Sequence, residues 1–273
     1  MTDKPTLGTI WRAGRVMLSA LTSSTGTPAR GRQRLLGVGL VGTLLVGGAA
    51  VAYAQVSGKE AAPANRAAIE LVVRDYILSH PEIIPEAMDR LKAKQVATKI
   101  DEHRSALETP YKGAWEGAAQ PRVTLVAFMD YACGYCRASL PDLARLVKDN
   151  PDLRIVYREL PIITEASVGA AKVSLLAAEE GKFMPFHRAM YEAGDVEPGA
   201  VVKAAGRAGL DTAKAKAALK TQAPDAPIVE NVRLAQALGA EGTPLFVIGD
   251  EMLTGAVGYD ALKAAVDKVR SKG

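Results

Sequence analysis

The two cysteines of this chain, Cys133 and Cys136, are its only thiols among 273 residues, and they lie three positions apart in the stretch MDYACGYCRASLPDL. Residues i and i+3 at the start of a helix share a face, so the two sulfur atoms can form a disulfide without unfolding the chain. A thiol at a helix N-terminus also faces unpaired backbone N–H groups and the positive end of the helix dipole, which favours the thiolate. We therefore predict that Cys133 is the nucleophile and that Cys136, one turn further along, is the shielded resolving thiol.

Two other uses of a cysteine pair fit the sequence less well. A structural zinc site needs four ligands, but the chain has no second cysteine pair, and His80, His103 and His187 fall in separate predicted helices. An inert disulfide that closes so short a loop would constrain the unfolded chain little. The pattern favours a reversible redox site with no metal and no cofactor. A reduced dithiol that binds copper(I) is the competing interpretation.

The elements around the cysteines follow from hydrophobic periodicity. The apolar, β-rich run VTLVAFMDY, residues 123–131, predicts a strand that ends at the cysteines, and a helical pattern then continues through Val147. LRIVYREL, residues 153–160, predicts a second strand. The run LFVIGDEMLTGA, residues 245–256, predicts a hairpin with its turn at Gly249 and Asp250, and a last helix is expected over Tyr259 to Arg270.

Between the second strand and the hairpin, residues 165–238 show only helical periodicity, interrupted by Gly and Pro. We expect a helical insertion with helices over residues 166–180, 184–192, 200–208, 212–220 and 228–238. Within it, Met184, His187 and Met190 carry atoms that copper binds. They lie among aromatic residues, however, which favours core packing.

Residues 66–107 predict a helical arm after a short polar linker at residues 55–65. Ile69, Val73 and Tyr76 recur at helical spacing, and Pro81 is expected in the first turn of a second helix. Pro and Gly at positions 110, 113 and 117 separate the arm from the first predicted strand, so it can project rather than pack. An amphipathic face must be buried, but the sequence does not say against what. The arm is an oligomerisation segment, a helical stalk or an arm folded back on its own domain.

Residues 35–54, LLGVGLVGTLLVGGAAVAYA, carry no charge and come directly after arginines at positions 30, 32 and 34. The stretch is long enough to span a bilayer. It also ends in Ala52-Tyr53-Ala54, the small-x-small pattern of a signal-peptide cleavage site. In both cases the positive flank places the rest of the chain outside the cytoplasm. We predict a periplasmic protein, either secreted by a signal peptide cleaved after Ala54 or tethered to the inner membrane by residues 35–54.

The charge distribution argues against a nucleic-acid partner. The net charge is +4, but residues 1–54 hold six of the 34 basic residues and one of the 30 acidic residues, which leaves 28 basic and 29 acidic residues for the rest. Without a cationic surface, nucleic-acid binding is not expected. The predicted domains are residues 1–54 as signal peptide or anchor, 55–117 as linker and arm, and 118–273 as the catalytic domain.

These patterns resemble the DsbA-like branch of thioredoxin-fold thiol:disulfide oxidoreductases, in particular the exported ScsC type, over about residues 66–273. The motifs that carry the resemblance are Phe128, Asp130 and Tyr131, then Cys133-Gly134-Tyr135-Cys136, Arg137 and Pro141, then Glu159-Leu160-Pro161, and finally Gly242-Thr243-Pro244-Leu245-Phe246-Val247, which matches the cis-proline loop of the family. The arm is similar to the N-terminal segment that holds some ScsC-type proteins together as dimers or trimers. The resemblance implies an α/β thioredoxin fold with a helical insertion, preceded by a helical arm and a signal or anchor segment.

The resemblance also implies roles for residues outside the cysteine pair. Thr243 and Pro244 are expected to lie beside the nucleophile and to offer backbone groups to an extended substrate peptide. Many family members have a buried glutamate, thought to shuttle protons, six residues before the first cysteine, and this chain has Ala127 there. Asp130, Glu159 or water is then the candidate proton acceptor.

The expected function is thiol–disulfide exchange on cysteines of other exported proteins. Gly134 and Tyr135 match the dipeptide of periplasmic isomerases and not the Pro-His of the strong oxidant, so we expect an isomerase or reductase that a membrane thiol reductase keeps reduced. A homo-oligomer through residues 66–107 agrees with repeated attack on a misfolded chain. A dithiol oxidase, a copper(I)-handling module and a peptide-binding chaperone are the alternatives.

Overall fold

The computed structural model describes residues 65–221 and 223–272. The described part of the chain divides into two compact units, residues 65–87 and residues 88–272. The expected signal or anchor segment at residues 1–54 lies outside the described residues. Within the described ranges, no helix combines the length and the apolar character needed to cross a membrane.

The first unit contains α1 (Arg66–Ser79) and the beginning of α2 (Ile83–Glu108). None of the residues of α1 is buried, and its apolar side chains Leu71, Val72 and Leu78 are each about two thirds exposed (68%, 69% and 67%). Pro81 lies in the turn before α2 rather than in its first turn, so that prediction was wrong by two residues. The pyrrolidine ring fixes φ near −65°, a value that is common in turns as well as in the first turn of a helix.

A five-stranded mixed sheet forms the centre of the second unit. Its strands are β1 (Trp115–Gly117), β2 (Val123–Met129), β3 (Leu153–Glu159), β4 (Leu245–Ile248) and β5 (Glu251–Thr254). Their spatial order is β1-β3-β2-β4-β5, with β2 and β3 parallel and the other neighbouring pairs antiparallel. The two predicted strands and the hairpin are confirmed, and the α/β fold class with them. β1 was not predicted, because three residues are too few to show a period.

Helices cover both faces of the sheet, which explains why β2 and β3 are each buried at six of their seven residues and why β2 is almost continuously apolar instead of alternating. The helices are α3 (Gly134–Asp149), α4 (Ala166–Glu179), α5 (Phe183–Ala193), α6 (Pro198–Arg207), α7 (Thr212–Ala218), α8 (Ala226–Leu238) and α9 (Tyr259–Lys272). Leu125 and Ala127 of β2 pack into the larger core with α3, α4, α5 and α9. Val126 and Phe128 point to the opposite face and pack with α2 and α8. The five helices of the insertion are those predicted, with ends that differ by at most two residues.

The C-terminal part of α2 belongs to the second unit and does not project from it. Ile100 and Leu107, both 1% exposed, pack against Val126 and Phe128 on the sheet. The main chain beyond α2 then forms β1, whose Trp115 pairs with Val156 of β3. The sequence suggested a projecting segment because Pro110, Gly113 and Gly117 separate it from the first predicted strand. Ile100 and Leu107 lie two turns apart among charged residues. That spacing makes one narrow apolar stripe, which is enough to dock a helix.

Candidate active site

The thiols sit at the junction of β2 and α3. β2 ends at Met129, and the chain turns through residues 130–132, with the Cys133 N–H donating to Asp130 O at 3.0 Å. Cys133 is the N-cap of α3, with an extended backbone (φ −83°, ψ 117°), and its carbonyl accepts the first helical hydrogen bond, from the Arg137 N–H at 3.2 Å. A buried strand therefore delivers Cys133 directly to the N-terminus of a helix, where backbone N–H groups are unpaired.

The two cysteines differ in environment. Cys133 is 6% exposed, whereas Cys136 is fully buried in the larger core. Burial raises the pKa of the Cys136 thiol, because a thiolate there would lose its hydration, and the neighbouring Cys133 raises it further. At neutral pH Cys136 is a neutral thiol that needs a base before it can attack.

Thr243 lies against the first thiol, and Pro244 follows it in the chain. The Thr243-Pro244 peptide bond is cis, and the Cys133 thiol donates to Thr243 O at 3.2 Å. Pro244 O accepts from the Gly255 N–H at 2.8 Å, which ties this loop to the end of β5. The hairpin of β4 and β5 therefore holds a backbone carbonyl at the Cys133 sulfur.

Asp130 fastens the loop before Cys133 to the loop after β3. Its Oδ1 accepts from the Ala132 N–H at 2.8 Å, and its Oδ2 accepts from the N–H groups of Ile162 and Ile163, both at 2.8 Å. The carboxyl group is buried, and this loss of hydration raises its pKa although the backbone donors act in the opposite direction. Its geometry suits a clamp on the backbone, since both oxygens are already occupied.

Glu159, at the end of β3, heads a buried polar cluster. Its Oε1 accepts from Ser174 Oγ at 2.6 Å and from the Tyr131 hydroxyl at 3.0 Å. Burial raises the pKa of Glu159 to about 8, because these two hydrogen bonds only partly offset the lost hydration. A carboxyl group with this pKa exchanges its proton near neutral pH, unlike an exposed glutamate.

His187 of α5 completes the cluster. Its Nδ1 lies 3.1 Å from the Tyr131 hydroxyl, and its ring packs against those of Tyr157, Phe183 and Tyr191 at centroid distances of 4.5, 5.1 and 5.0 Å. Burial lowers the pKa of His187 to about 3, so the ring is neutral at physiological pH. The prediction that His187 is a core residue rather than a metal ligand agrees with this packing.

The sequence analysis did not identify Ser174, His187 or Tyr191 as part of the site. Ser174 lies inside the apolar helix α4, and the Tyr191 hydroxyl donates to Asp130 O at 3.1 Å from α5. A polar group inside an otherwise apolar run was the available signal, because such a group needs a buried partner. Ala127 itself is fully buried on β2, opposite Tyr157 of β3, and offers no proton acceptor there.

The dipeptide between the cysteines faces solvent. Tyr135 is 70% exposed, and Gly134 has open space where a Cβ would stand. No group of three or more His, Cys, Asp or Glu side chains converges as a metal site within residues 65–221 and 223–272. The described site consists of the two thiols, the Thr243 carbonyl beside Cys133 and the buried Glu159 cluster.

A known family covers this site. The family described as DSBA-like thioredoxin domain matches residues 124–267, more than half of the chain. The chain belongs to this family. Residues 65–97 also match the family described as Copper resistance protein ScsC N-terminal domain. The matched DsbA-like region spans both cysteines, Glu159 and the Thr243-Pro244 loop, so the protein is a member of the DsbA-like thiol–disulfide oxidoreductases.

Solved DsbA-like structures agree with this membership. A linker-deleted variant of ScsC from Proteus mirabilis is 28% identical, with a TM-score of 0.60, and the likeness covers 80% of this chain and 100% of that one. The thiol-disulfide exchange protein alpha-DsbA2 from Wolbachia pipientis is 26% identical, with a TM-score of 0.58, and the likeness covers 66% of this chain and 98% of that one.

One curated relative is named as an ion transporter rather than as an oxidoreductase. Na(+)/H(+) antiporter NhaA 3 from Salinispora tropica is 29% identical over 153 residues, which is 55% of this chain and 24% of the antiporter. The chain thus spans about a quarter of the length of the curated relatives it matches. The likeness concerns only that quarter and carries no ion transport to this DsbA-like protein.

Proposed function

We propose that this DsbA-like protein is an exported disulfide isomerase or reductase that acts on cysteines of other exported proteins. The observation that carries the proposal is the inequality of the two thiols. Cys133 lies at a helix N-terminus with a backbone carbonyl at its sulfur, while Cys136 is fully buried with a raised pKa. One thiol is placed to attack a substrate and the other to attack only Cys133.

The proposed reaction begins with attack of the Cys133 thiolate on a substrate disulfide. A mixed disulfide forms, and the other substrate sulfur leaves as a thiolate. In the reductase branch Cys136 then loses its proton and attacks Cys133, which releases the second substrate thiolate and leaves the Cys133–Cys136 disulfide. Two electrons have passed to the substrate, and a membrane thiol reductase restores the dithiol. In the isomerase branch a substrate thiolate attacks the substrate sulfur of the mixed disulfide, so Cys133 leaves unchanged.

The surroundings of Cys133 favour this direction over oxidation. A strong oxidant stabilises its reduced form, which makes its disulfide easy to reduce. Here the hydrogen bond of Cys133 runs to the Thr243 carbonyl, an acceptor that can hold a thiol but has no proton to give a thiolate. Gly134 has no side chain, and Tyr135 extends into solvent. The dipeptide thus adds no donor like the histidine of the strong oxidant.

Substrates are proposed to bind as extended peptides at the Thr243-Pro244 loop. The Thr243 carbonyl lies 3.2 Å from Cys133 Sγ, so a peptide that pairs with this segment brings its own cysteine to the nucleophile. Tyr135, two residues after Cys133 in the chain, adds an exposed aromatic ring. This arrangement would recognise the main chain of the substrate and one apolar side chain. Such recognition suits substrates of varied sequence.

Glu159 is the proposed acceptor of the Cys136 proton. The oxygens of the other candidate, Asp130, already accept three backbone N–H groups. With a pKa of about 8, Glu159 is a carboxylate in about a tenth of the molecules at pH 7, and in that form it can take up the proton. Glu159 and the Cys136 thiol also have Tyr191 as a common neighbour. Burial raises the pKa of Tyr191, and the charges of Cys136 and Glu159 each raise it further.

The arm is proposed to assemble several copies of the catalytic domain. α1 exposes a row of large apolar side chains, and residues 65–97 match the ScsC N-terminal domain family. Apolar surface of this kind is stabilised when a second copy covers it. The proposed division is a signal peptide or anchor at residues 1–54, an arm that ends inside α2, and a catalytic domain that begins with the C-terminal part of α2.

Trapping of mixed disulfides tests the proposed roles of the cysteines. In periplasmic extracts, Cys136→Ser should accumulate mixed disulfides with exported proteins, and Cys133→Ser should accumulate none. The wild-type protein, kept reduced, should repair a scrambled disulfide substrate. A protein that introduces disulfides into a reduced substrate but fails to repair a scrambled one would be the alternative dithiol oxidase.

A further inference from the structure

Thr243 meets the two cysteines with different parts of the residue. Its carbonyl oxygen lies 3.2 Å from Cys133 Sγ. Its hydroxyl is buried and makes no hydrogen bond of regular geometry with any residue that the structure describes. A buried hydroxyl without an acceptor is costly, and a valine would occupy nearly the same space without that cost. The presence of the hydroxyl therefore needs an explanation.

The sulfur of Cys136 is the acceptor that this hydroxyl can reach. Burial raises the pKa of the Cys136 thiol, whereas the Asp130 N–H and the Thr243 side chain both lower it, because each can donate to the thiolate. A neutral thiol is only a weak acceptor, which explains why the hydroxyl forms no regular hydrogen bond with it. Two donors are thus placed at a sulfur that binds them strongly only when it is charged.

The strand register brings these two donors to the same place. β2 and β4 pair antiparallel, and Phe128 opposite Leu245 is the last pair of their ladder. Two further residues along each strand direction place Asp130 opposite Thr243. The chain then runs from Asp130 into α3, whose first turn holds Cys136. The end of the ladder therefore supplies one donor from each strand to the buried thiol.

The main chain of Asp130 is held firmly in this position. Its carbonyl accepts from the Cys133 N–H at 3.0 Å and from the Tyr191 hydroxyl at 3.1 Å. Its carboxyl group accepts from three further backbone N–H groups, each at 2.8 Å. With these hydrogen bonds in place, the residue has little freedom to turn. Donors that are fixed before the reaction stabilise a charge without any cost of reorganisation.

We propose that the Asp130 N–H and the Thr243 hydroxyl form a donor pocket that stabilises the Cys136 thiolate during resolution of the mixed disulfide. The donor pocket rests on the proposed function, in which Cys136 attacks Cys133. Hydrogen bonds to a charged acceptor are roughly twice as strong as those to a neutral one. The donor pocket therefore favours the reactive thiolate over the resting thiol and accelerates resolution.

The bonds and electrons of this step balance within the proposed reaction. The Cys136 proton passes to Glu159, and the thiolate that remains accepts hydrogen bonds from both donors. The thiolate then forms the Cys133–Cys136 bond. The bond between Cys133 and the substrate sulfur breaks, and the substrate leaves as a thiolate. The two donors keep their own protons throughout, so they act by electrostatics and not as acids.

Single-turnover kinetics of the full chain tests the donor pocket. The reduced protein is mixed with excess oxidised glutathione at pH 7 and quenched with acid. Mass spectrometry then follows the formation of the Cys133 mixed disulfide separately from its resolution by Cys136. Thr243→Val removes the hydroxyl and keeps the main-chain carbonyl, and Thr243→Ser keeps a hydroxyl. Thr124→Val is the matched control, because it removes a hydroxyl near the start of β2, at the end of the strand away from the cysteines.

Thr243→Val should slow resolution, relative to mixed-disulfide formation, by about three- to tenfold. Loss of one hydrogen bond to the thiolate should reduce the thiolate fraction of Cys136 by about ten- to a hundredfold. The more basic thiolate is the better nucleophile, which recovers about half of this loss on a logarithmic scale. Thr243→Ser and Thr124→Val should both keep the ratio of the two rates within about twofold of wild type.

A wild-type ratio in Thr243→Val would overturn the donor pocket. An equal loss in Thr243→Ser or in Thr124→Val would also overturn it, because packing rather than the hydroxyl would then set the rate. Equal slowing of both steps in Thr243→Val would place the effect at Cys133 instead. All three results leave the proposed function intact, whereas a wild-type protein that never resolves its mixed disulfide would contradict the reductase branch itself.

Discussion

Helices α1 and α4 have the same length of 14 residues, yet α4 buries ten of them and α1 none. Both sequences are rich in apolar residues, RAAIELVVRDYILS in α1 and ASVGAAKVSLLAAE in α4. Most residues of α4 are small, so neighbouring helices can approach it from several sides. In α1 large aliphatic side chains alternate with charged ones. An apolar helix is therefore buried only where neighbouring elements can pack against it. The apolar side of α1 has to be buried against another surface.

A charged residue introduced into each helix should give the largest difference between them in the free energy of unfolding. Ala177 of α4 is fully buried, so Ala177→Asp places an unpaired carboxylate in the core and should lower the free energy of unfolding by about 3–5 kcal/mol. Val72→Asp on α1 is the matched control and should change it by less than about 0.5 kcal/mol. Urea denaturation followed by circular dichroism measures both. A large loss in Val72→Asp would mean that α1 is part of the catalytic core.

The two ends of α2 repeat the comparison within one helix. Leu107 is 1% exposed and Leu91 is 56% exposed. Leu107→Ala should destabilise the protein by about 2–4 kcal/mol, because it leaves a cavity against the sheet. Leu91→Ala should cost less than about 0.5 kcal/mol. Equal costs, measured in the same urea titrations, would contradict the packing of the C-terminal part of α2 on the sheet.

The carboxyl group of Glu159 is buried, whereas that of Glu70 is exposed. The pKa of Glu159 is raised to about 8, so the fold favours the neutral acid. That stabilisation is complete below about pH 4.5 and is lost as the pH rises through 8. Between pH 5 and pH 8 the wild-type protein should therefore lose about 3 kcal/mol more than Glu159→Gln. His187 titrates in both proteins and cancels from the difference.

Glu70→Gln is the control for this pH series. Glu70 pairs with Arg66 on the surface of α1 at 2.7 Å, with side chains that are 63% and 68% exposed. Exposed pairs of this kind contribute little, so this variant should match the wild-type pH dependence within about 0.5 kcal/mol. A parallel pH dependence in Glu159→Gln would show that the buried cluster does not hold Glu159 neutral.

Val72→Asp should have its effect on assembly rather than on unfolding. The chain that begins at Gln55 is expected to sediment as a homo-oligomer, and the same chain with Val72→Asp should sediment as a monomer, because the new charge would be buried in the contact. Asp75→Asn is the control, because it changes a charge on the same helix and should leave the oligomer intact. A monomeric parent chain would contradict the role of the arm.

Local features of the fold were predictable from the sequence. The hydrophobic periodicity and the positions of Gly and Pro predict the strands at Val123–Met129 and Leu153–Glu159 and the helices after each of them. Both signals depend only on neighbours in the chain. The cysteine pair at the helix start was found in the same way. β1 was missed because three residues carry no periodic signal.

Contacts between distant elements were not predictable. Tyr131, Glu159, Ser174 and His187 come from a loop, a strand and two helices, and 56 residues separate the first from the last. Each of them alone is an ordinary polar residue in an apolar run. Their shared hydrogen bonds arise only when β3, α4 and α5 pack together, which no single-sequence pattern encodes.

The equilibrium redox potential of the Cys133–Cys136 pair tests the central claim most directly. The claim is that a carbonyl at the Cys133 sulfur and a donor-free Gly-Tyr dipeptide leave the reduced form without the support that a strong oxidant gives it. Equilibration with glutathione buffers should yield a potential of about −180 mV or lower, in the range of isomerases and reductases. A potential near about −120 mV, typical of the strong oxidant, would contradict it.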